Sequence, residues 1–140
     1  MLKKTISADD TANIGYDLAQ QLLEKPENIF LKGELGAGKT TFIQGLGRGM
    51  EIGGPIISPS FQLVRKYSGD SGIELIHIDL YRLKDIMEIQ RLGWWEMLGG
   101  NSITAVEWAD RAEGILPDKG IFITIDHISP DTRSLEIIRR

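Results

Sequence analysis

Gly33-Glu34-Leu35-Gly36-Ala37-Gly38-Lys39-Thr40 decides how this chain folds. The stretch fits G-x-x-x-x-G-K-[ST], the spelling of a phosphate-binding loop. Glycines at 33, 36 and 38 admit backbone conformations that a Cβ forbids, so successive N–H groups can turn inward as an anion-binding nest. In this reading the loop with Gly33, Gly36 and Gly38 cradles a nucleotide's phosphates. Lys39 reaches the β- and γ-phosphates, and the Thr40 hydroxyl coordinates Mg²⁺.

The flanks agree with the loop. Asn28-Ile29-Phe30-Leu31-Lys32 reads as a short apolar strand running into it, and Thr41-Phe42-Ile43-Gln44-Gly45-Leu46 has helical apolar spacing directly after. Strand, glycine loop and helix together aim a helix N-terminus, with its partial positive charge, at a phosphate.

The rest of the chain supplies partners for that unit. Residues 1–8 read as an edge strand with Ser7 as an N-cap, followed by a helix whose Ile14, Leu18, Leu22 and Leu23 share a face and which ends near Pro26. Ile57 to Tyr67 reads as a strand entered through Ser58-Pro59-Ser60, a loop placed either as an ordinary turn or as a switch loop. Gly69-Asp70-Ser71-Gly72 is a hairpin-type turn before the strand Glu74 to Tyr81. Asp85 to Leu98 reads as one helix carrying Trp94 and Trp95, which cannot both fill one core. One of them is therefore expected to be partly exposed, as interface tryptophans are. Ser102 to Trp108 reads as a buried strand, 109–117 as a short helix or loop, and 121–128 with 134–138 as a terminal hairpin. The expected architecture is a single α/β domain over 1–140, a three-layer P-loop NTPase fold with a mostly parallel central sheet and antiparallel additions.

Composition sets limits on function. With 140 residues, 41% hydrophobic and 26% charged, the chain is long enough for one domain with a real core. It has no cysteine, hence no disulfide and no thiolate metal site. A net charge of −4 argues against a stand-alone nucleic-acid binder, so any contact with RNA is expected through a partner. Neither a signal peptide nor a run of about 18 apolar residues is present, which makes the cytoplasm the expected compartment.

A P-loop enzyme needs an acid at the end of a neighbouring apolar strand to hold Mg²⁺ or a water. Asp79 ends Leu75-Ile76-His77-Ile78-Asp79, and Glu107 ends Ile103-Thr104-Ala105-Val106-Glu107. Both are candidates, and spacing alone does not divide the roles. His77 lies two residues before Asp79 on the same strand face, either as a general base or as a buried, hydrogen-bonded side chain. Trp108 either stacks on the nucleotide base or packs.

Taken in order, four blocks resemble the TsaE (YjeE) family of bacterial ATPases in tRNA threonylcarbamoyladenosine modification. They are Gly33 to Phe42, Ser58-Pro59-Ser60-Phe61-Gln62-Leu63-Val64, His77-Ile78-Asp79-Leu80-Tyr81-Arg82-Leu83 and Val106-Glu107-Trp108. The resemblance implies slow, Mg²⁺-dependent ATP hydrolysis in complex with the TsaB–TsaD pair, which carries out the transfer itself. It also implies triphosphate contacts from Gly36 to Thr41, Mg²⁺ held by Thr40 and Glu107, a catalytic or metal-water contact from Asp79, and nucleotide contacts near Ala8, Thr11 and Arg133. The chain departs from the family pattern at Ser60, where the usual residue is threonine. It departs again at Asp85-Ile86-Met87-Glu88-Ile89, which lacks the usual proline and one acid. A small-molecule or nucleoside kinase on the same loop is the competing reading, although 140 residues leave little room for an Arg-rich lid. A GTPase lacks support because no N-K-x-D motif is present. A factor in which ATP only stabilises one conformation is a third possibility.

Overall fold

Strand β2 (Asn28–Lys32) lies at the centre of a seven-stranded sheet of order β1-β7-β6-β2-β5-β4-β3. The structure is a computed structural model and describes residues 1–59 and 62–140. Ser60 and Phe61, singled out in the Ser-Pro loop and the strand after it, lie outside the described residues. The other strands are β1 (Leu2–Thr5), β3 (Val64–Ser68), β4 (Glu74–Asp79), β5 (Ser102–Glu107), β6 (Ile121–His127) and β7 (Arg133–Arg139). The inner strands β6, β2, β5 and β4 run parallel, and antiparallel pairings add β3 at one edge and β7 with β1 at the other. This is the mostly parallel α/β sheet with antiparallel additions that the alternating pattern predicts.

The inner strands are apolar on both sides because both faces are covered. Helices α1 (Ala8–Leu22) and α2 (Lys39–Gly49) cover one face. There Leu18, Leu22, Phe42 and Leu46 pack on Ile29, Leu31, Ile103 and Ile123. On the other face, α3 (Ile86–Arg91), α4 (Trp94–Gly99) and a 3₁₀ helix (Ala109–Ile115) gather Ile89, Trp94 and Ala112 against Phe30, Ile78 and Val106. Each such aliphatic or aromatic side chain withdrawn from water contributes about 1.5–3 kcal/mol before entropy is set against it. No helix among the described residues is long and apolar enough to cross a membrane.

Two elements differ from their sequence reading. The single helix expected over Asp85 to Leu98 is two helices, because Gly93 sits between them at φ 92 and redirects the chain. Trp94 consequently turns into the core at 0% exposure, where its indole N–H donates to Ile115 O at 3.0 Å, while Trp95 stays outside at 52%. The strand expected after the Ser-Pro turn, within Ile57 to Tyr67, is β3 and begins at Val64 among the described residues. Leu63 takes a positive φ of 63°, so regular pairing with β4 starts at Val64, although the Leu63 carbonyl still accepts from Asp79 N at 2.9 Å.

Helix α3 starts without the proline of the family pattern, yet its start is well formed. The Asp85 carboxylate accepts from Met87 N at 2.9 Å, and the Glu88 carboxylate accepts from Asp85 N at 3.0 Å, closing a capping box. An Asp85→Ala variant is expected to lose about 1 kcal/mol of stability in urea denaturation. A loss indistinguishable from zero would show that tertiary packing alone holds this turn.

Candidate functional site

The cleft is built where β2, β5 and β4 end together. Strand β2 delivers Gly33, and the loop then turns through Gly36 at φ 77 and Gly38 at φ 110, a path that residues with a Cβ rarely follow. Space around Gly36 is open, with no atom within 4 Å of where a Cβ would stand. Gly38 is the N-cap of α2 and has no side chain to accept from the helix's first N–H groups. Those donors are left for a ligand, and the helix dipole favours an anion there.

Lys39, the first residue of α2, is only 4% exposed. Its ammonium donates to Gly33 O at 2.6 Å and Glu34 O at 2.8 Å, and lies 4.1 Å from the Trp108 ring centroid. An ammonium has three donors, so one remains for a phosphate oxygen. Burial lowers the Lys39 pKa from 10.5, and the carboxylates of Glu107, Asp110, Asp79 and Glu34 work in the opposite direction. An anion entering the cleft would likewise favour the charged form.

Thr40 and Glu107 are joined directly. The Thr40 hydroxyl lies 2.9 Å from Oε1 and 3.1 Å from Oε2 of Glu107, and donates to that carboxylate. Parallel pairing of β4 with β5 sets Asp79 level with Glu107 and His77 level with Ala105. Leu75, His77, Asp79, Ile103, Ala105 and Glu107 thus share the face that meets α2, and the polar members fall where α2 begins. His77 Nε2 is 2.6 Å from Glu107 Oε2. Of the two readings of His77, the structure has the buried, hydrogen-bonded one: the side chain is 0% exposed. Asp79 accepts from the Ser58 hydroxyl and from Tyr81 N. Ser58 is therefore tied to the strand-end acid rather than free in a surface turn.

A 360 Å³ cleft opens over Lys39, Thr40, Ser58, Asp79, Glu107 and Trp108. Trp108 leaves β5 at φ 58, an unusual backbone for a bulky residue. That bend lays its ring against Tyr81, with centroids 5.0 Å apart, and beside the Arg111 guanidinium at 5.7 Å. A separate 160 Å³ recess on the loop's other flank holds Ala8, Thr11 and Arg133, together with Gly36, Gly38 and Thr41. Arg133 Nε donates to Ala37 O at 3.1 Å, tying β7 to the loop. The predicted residues therefore fall in two groups that share the loop, with Trp108 on the Lys39 side and Ala8, Thr11 and Arg133 opposite.

Tyr81 and Arg111 were not singled out as site residues. Tyr81 lay in a recognisable block, but nothing in a one-dimensional pattern says that Trp108 bends back to meet it. Arg111 carries no sequence signal at all.

The donor chemistry fits magnesium. Mg²⁺ takes hard oxygen ligands, commonly one or two from protein with phosphate and water completing the shell. A hydroxyl and a carboxylate already in contact at the start of a phosphate-binding helix meet that requirement. Among the described residues, no group of three or more His, Cys, Asp or Glu side chains forms a protein-only cage.

Comparison with known proteins gives a consistent result. The family described as "Threonylcarbamoyl adenosine biosynthesis protein TsaE" matches residues 5–135. The tRNA threonylcarbamoyladenosine biosynthesis protein TsaE of Aquifex aeolicus is 38% identical over 144 aligned positions, covering 100% of this chain and 98% of that protein. Its namesake in Haemophilus influenzae is 38% identical over 115, covering 82% of this chain and 72% of that protein. The crystal structure of Bacillus subtilis YdiB matches with a TM-score of 0.80 at 30% identity, over 99% of this chain and 84% of that one.

Proposed function

The chain belongs to the TsaE family, and from that premise we propose that it is a Mg²⁺-dependent, ATP-binding and slowly hydrolysing subunit required for threonylcarbamoyl modification of tRNA adenosine. It acts with the TsaB–TsaD complex, and meets tRNA only through that complex. The observation that carries the nucleotide part is the union of two features at one helix start: an uncapped α2 N-terminus behind a buried Lys39, and a Thr40 hydroxyl bonded to Glu107.

Each residue's task follows from its position. Loop N–H groups and the α2 N-terminus bind the phosphates, and Lys39 bridges the loop's own carbonyls to the terminal phosphate. Thr40 and Glu107 would hold Mg²⁺, which would supply charge neutralisation for the phosphates. Asp79, fixed by Ser58 and Tyr81 N, is the carboxylate that orients a water at the strand end. Trp108 shields the Lys39 ammonium from solvent and raises the strength of its contacts. Ala8, Thr11 and Arg133 receive the nucleoside end of the ligand on the opposite flank. Without a partner group to stabilise developing charge, hydrolysis on a P-loop is slow.

The test is ATP turnover by the purified chain, alone and with a TsaB–TsaD pair. Slow turnover that rises with the pair is the expected result. Unchanged turnover without association would defeat the partner assignment, and a phosphorylated small-molecule acceptor would move the protein to the kinase reading. A Glu107→Gln variant is expected to need about tenfold more Mg²⁺ for half-maximal nucleotide binding, the scale on which ligand-shell changes act. An unaltered Mg²⁺ requirement, measured by titration against a fluorescent ATP analogue, would remove Glu107 from the metal site.

A further inference from the structure

We infer that His77 is the positioning residue of the site: it donates from Nε2 to Glu107 and thereby fixes the carboxylate orientation that Mg²⁺ requires. The inference rests on the nucleotide reading given above, and deepens it.

The observations are three. His77 interrupts the buried apolar run of β4, between Ile76 and Ile78, at 0% exposure. Among the described residues, the one hydrogen bond of its side chain is the 2.6 Å contact with Glu107 Oε2. Its Nδ1 is buried with no partner among the described residues. A carboxylate only accepts, so Nε2 carries the proton of this bond. A buried polar side chain with half its capacity unused is costly where an aliphatic one would fill the space. The bond to Glu107 is what that residue type provides here.

The geometry explains why one bond suffices. The Thr40 hydroxyl reaches both Glu107 oxygens, at 2.9 and 3.1 Å, and so does not select between carboxylate orientations. His77 contacts Oε2 alone. It comes from a neighbouring strand whose register is locked by parallel pairing, His77 opposite Ala105. It therefore pins one oxygen and leaves Oε1 turned toward Thr40. Ligand carboxylates held in this way bind metal more tightly, and loss of the holding group commonly costs 10–100-fold in affinity.

The experiment compares His77→Asn and His77→Gln. Glutamine places an N–H donor near the position of Nε2, whereas asparagine is too short. The readouts are binding of a fluorescent ATP analogue without Mg²⁺ and the Mg²⁺ concentration at half-maximal binding. The asparagine variant is expected to raise the Mg²⁺ requirement about tenfold or more, with Mg²⁺-free binding within about twofold of wild type. The glutamine variant should recover most of the difference. In a Glu107→Gln background the asparagine change should add less than about twofold, because both substitutions act on one contact. In the ligand-free protein, ¹⁵N spectra of the imidazole should show the His77 proton on Nε2 and a shift of that nitrogen in Glu107→Gln.

An asparagine variant with the wild-type Mg²⁺ requirement, an effect fully additive with Glu107→Gln, or an Nε2 that carries no proton would each overturn the inference. If the asparagine variant does not fold, the wild-type spectrum and the glutamine variant decide it. Wild-type protein that binds no nucleotide under any condition would instead overturn the functional reading itself, which separates the two failures.

Discussion

Lys39→Ala is expected to weaken ATP binding at least 100-fold while leaving the fold intact. The side chain is nearly buried, and its ammonium is pre-positioned by the Gly33 and Glu34 carbonyls at 2.6 and 2.8 Å. A charge-assisted hydrogen bond in such a setting is worth about 1.5–3 kcal/mol, and Lys39 also supplies the cleft's buried positive charge. Stability should respond in the opposite sense. Burial already holds the Lys39 pKa below 10.5. Between the lowered folded value and 10.5, the unfolded chain binds more protons than the folded one, so this group makes the ligand-free protein gain stability as pH rises. The alanine variant loses that dependence, and its melting temperature near neutral pH should stay within a few degrees of wild type. Isothermal titration with ATP and a thermal melt on the same sample check both halves. An unchanged ATP affinity would sink the assignment of the loop.

Gly45→Ala is expected to be the most damaging single-methyl change in the protein, at about 3 kcal/mol or more and a fall in melting temperature of about 10 °C. A Cβ at Gly45 would stand 1.9 Å from Ala12 O and 2.6 Å from its carbonyl carbon, in the backbone of the facing helix. Backbone cannot swing aside as a side chain can, so α1 must move by about an ångström or more to restore ordinary contact distances. Gly15 and Gly49 mark the same seam, 2.2 Å from Phe42 O and 2.7 Å from Tyr16 O by the same measure. The displacement reaches the site, because α2 begins with Lys39 and Thr40 while α1 carries Ala8 and Thr11 on the loop's other flank. Nucleotide affinity should therefore fall in any fraction that remains folded. Gly114→Ala, where nothing lies within 4 Å of the added methyl, is the control and should change stability by no more than about 0.5 kcal/mol. Equal melting temperatures for the two variants would show that the helices do not approach as closely as the structure has them.

The loop, its strand and its helix were legible because the information is local. Glycines at fixed offsets, a lysine and a hydroxyl within one helical turn are chemistry that consecutive residues complete by themselves. Asp79 and Glu107 were also legible, as acids ending apolar runs, since a parallel sheet with both faces covered writes its strands as continuous apolar segments. The exposure of one of two adjacent tryptophans followed from helical geometry alone. The single helix over Asp85 to Leu98 was misread because apolar spacing runs straight across Gly93, and only packing reveals that the glycine takes φ 92 to turn Trp94 inward.

By itself, then, the sequence determined the α/β class, the glycine-rich loop between β2 and α2, and the acids that end β4 and β5. Tertiary structure decided how they meet. The register of β4 on β5 brings His77 to Glu107, the left-handed turn at Trp108 lays its ring over Lys39, and Arg133 arrives at Ala37 from the far end of the chain. These contacts join residues separated by 30 to 96 positions. Strand order and register fix them, and those are set by the packing of the whole core rather than by any local run of residues.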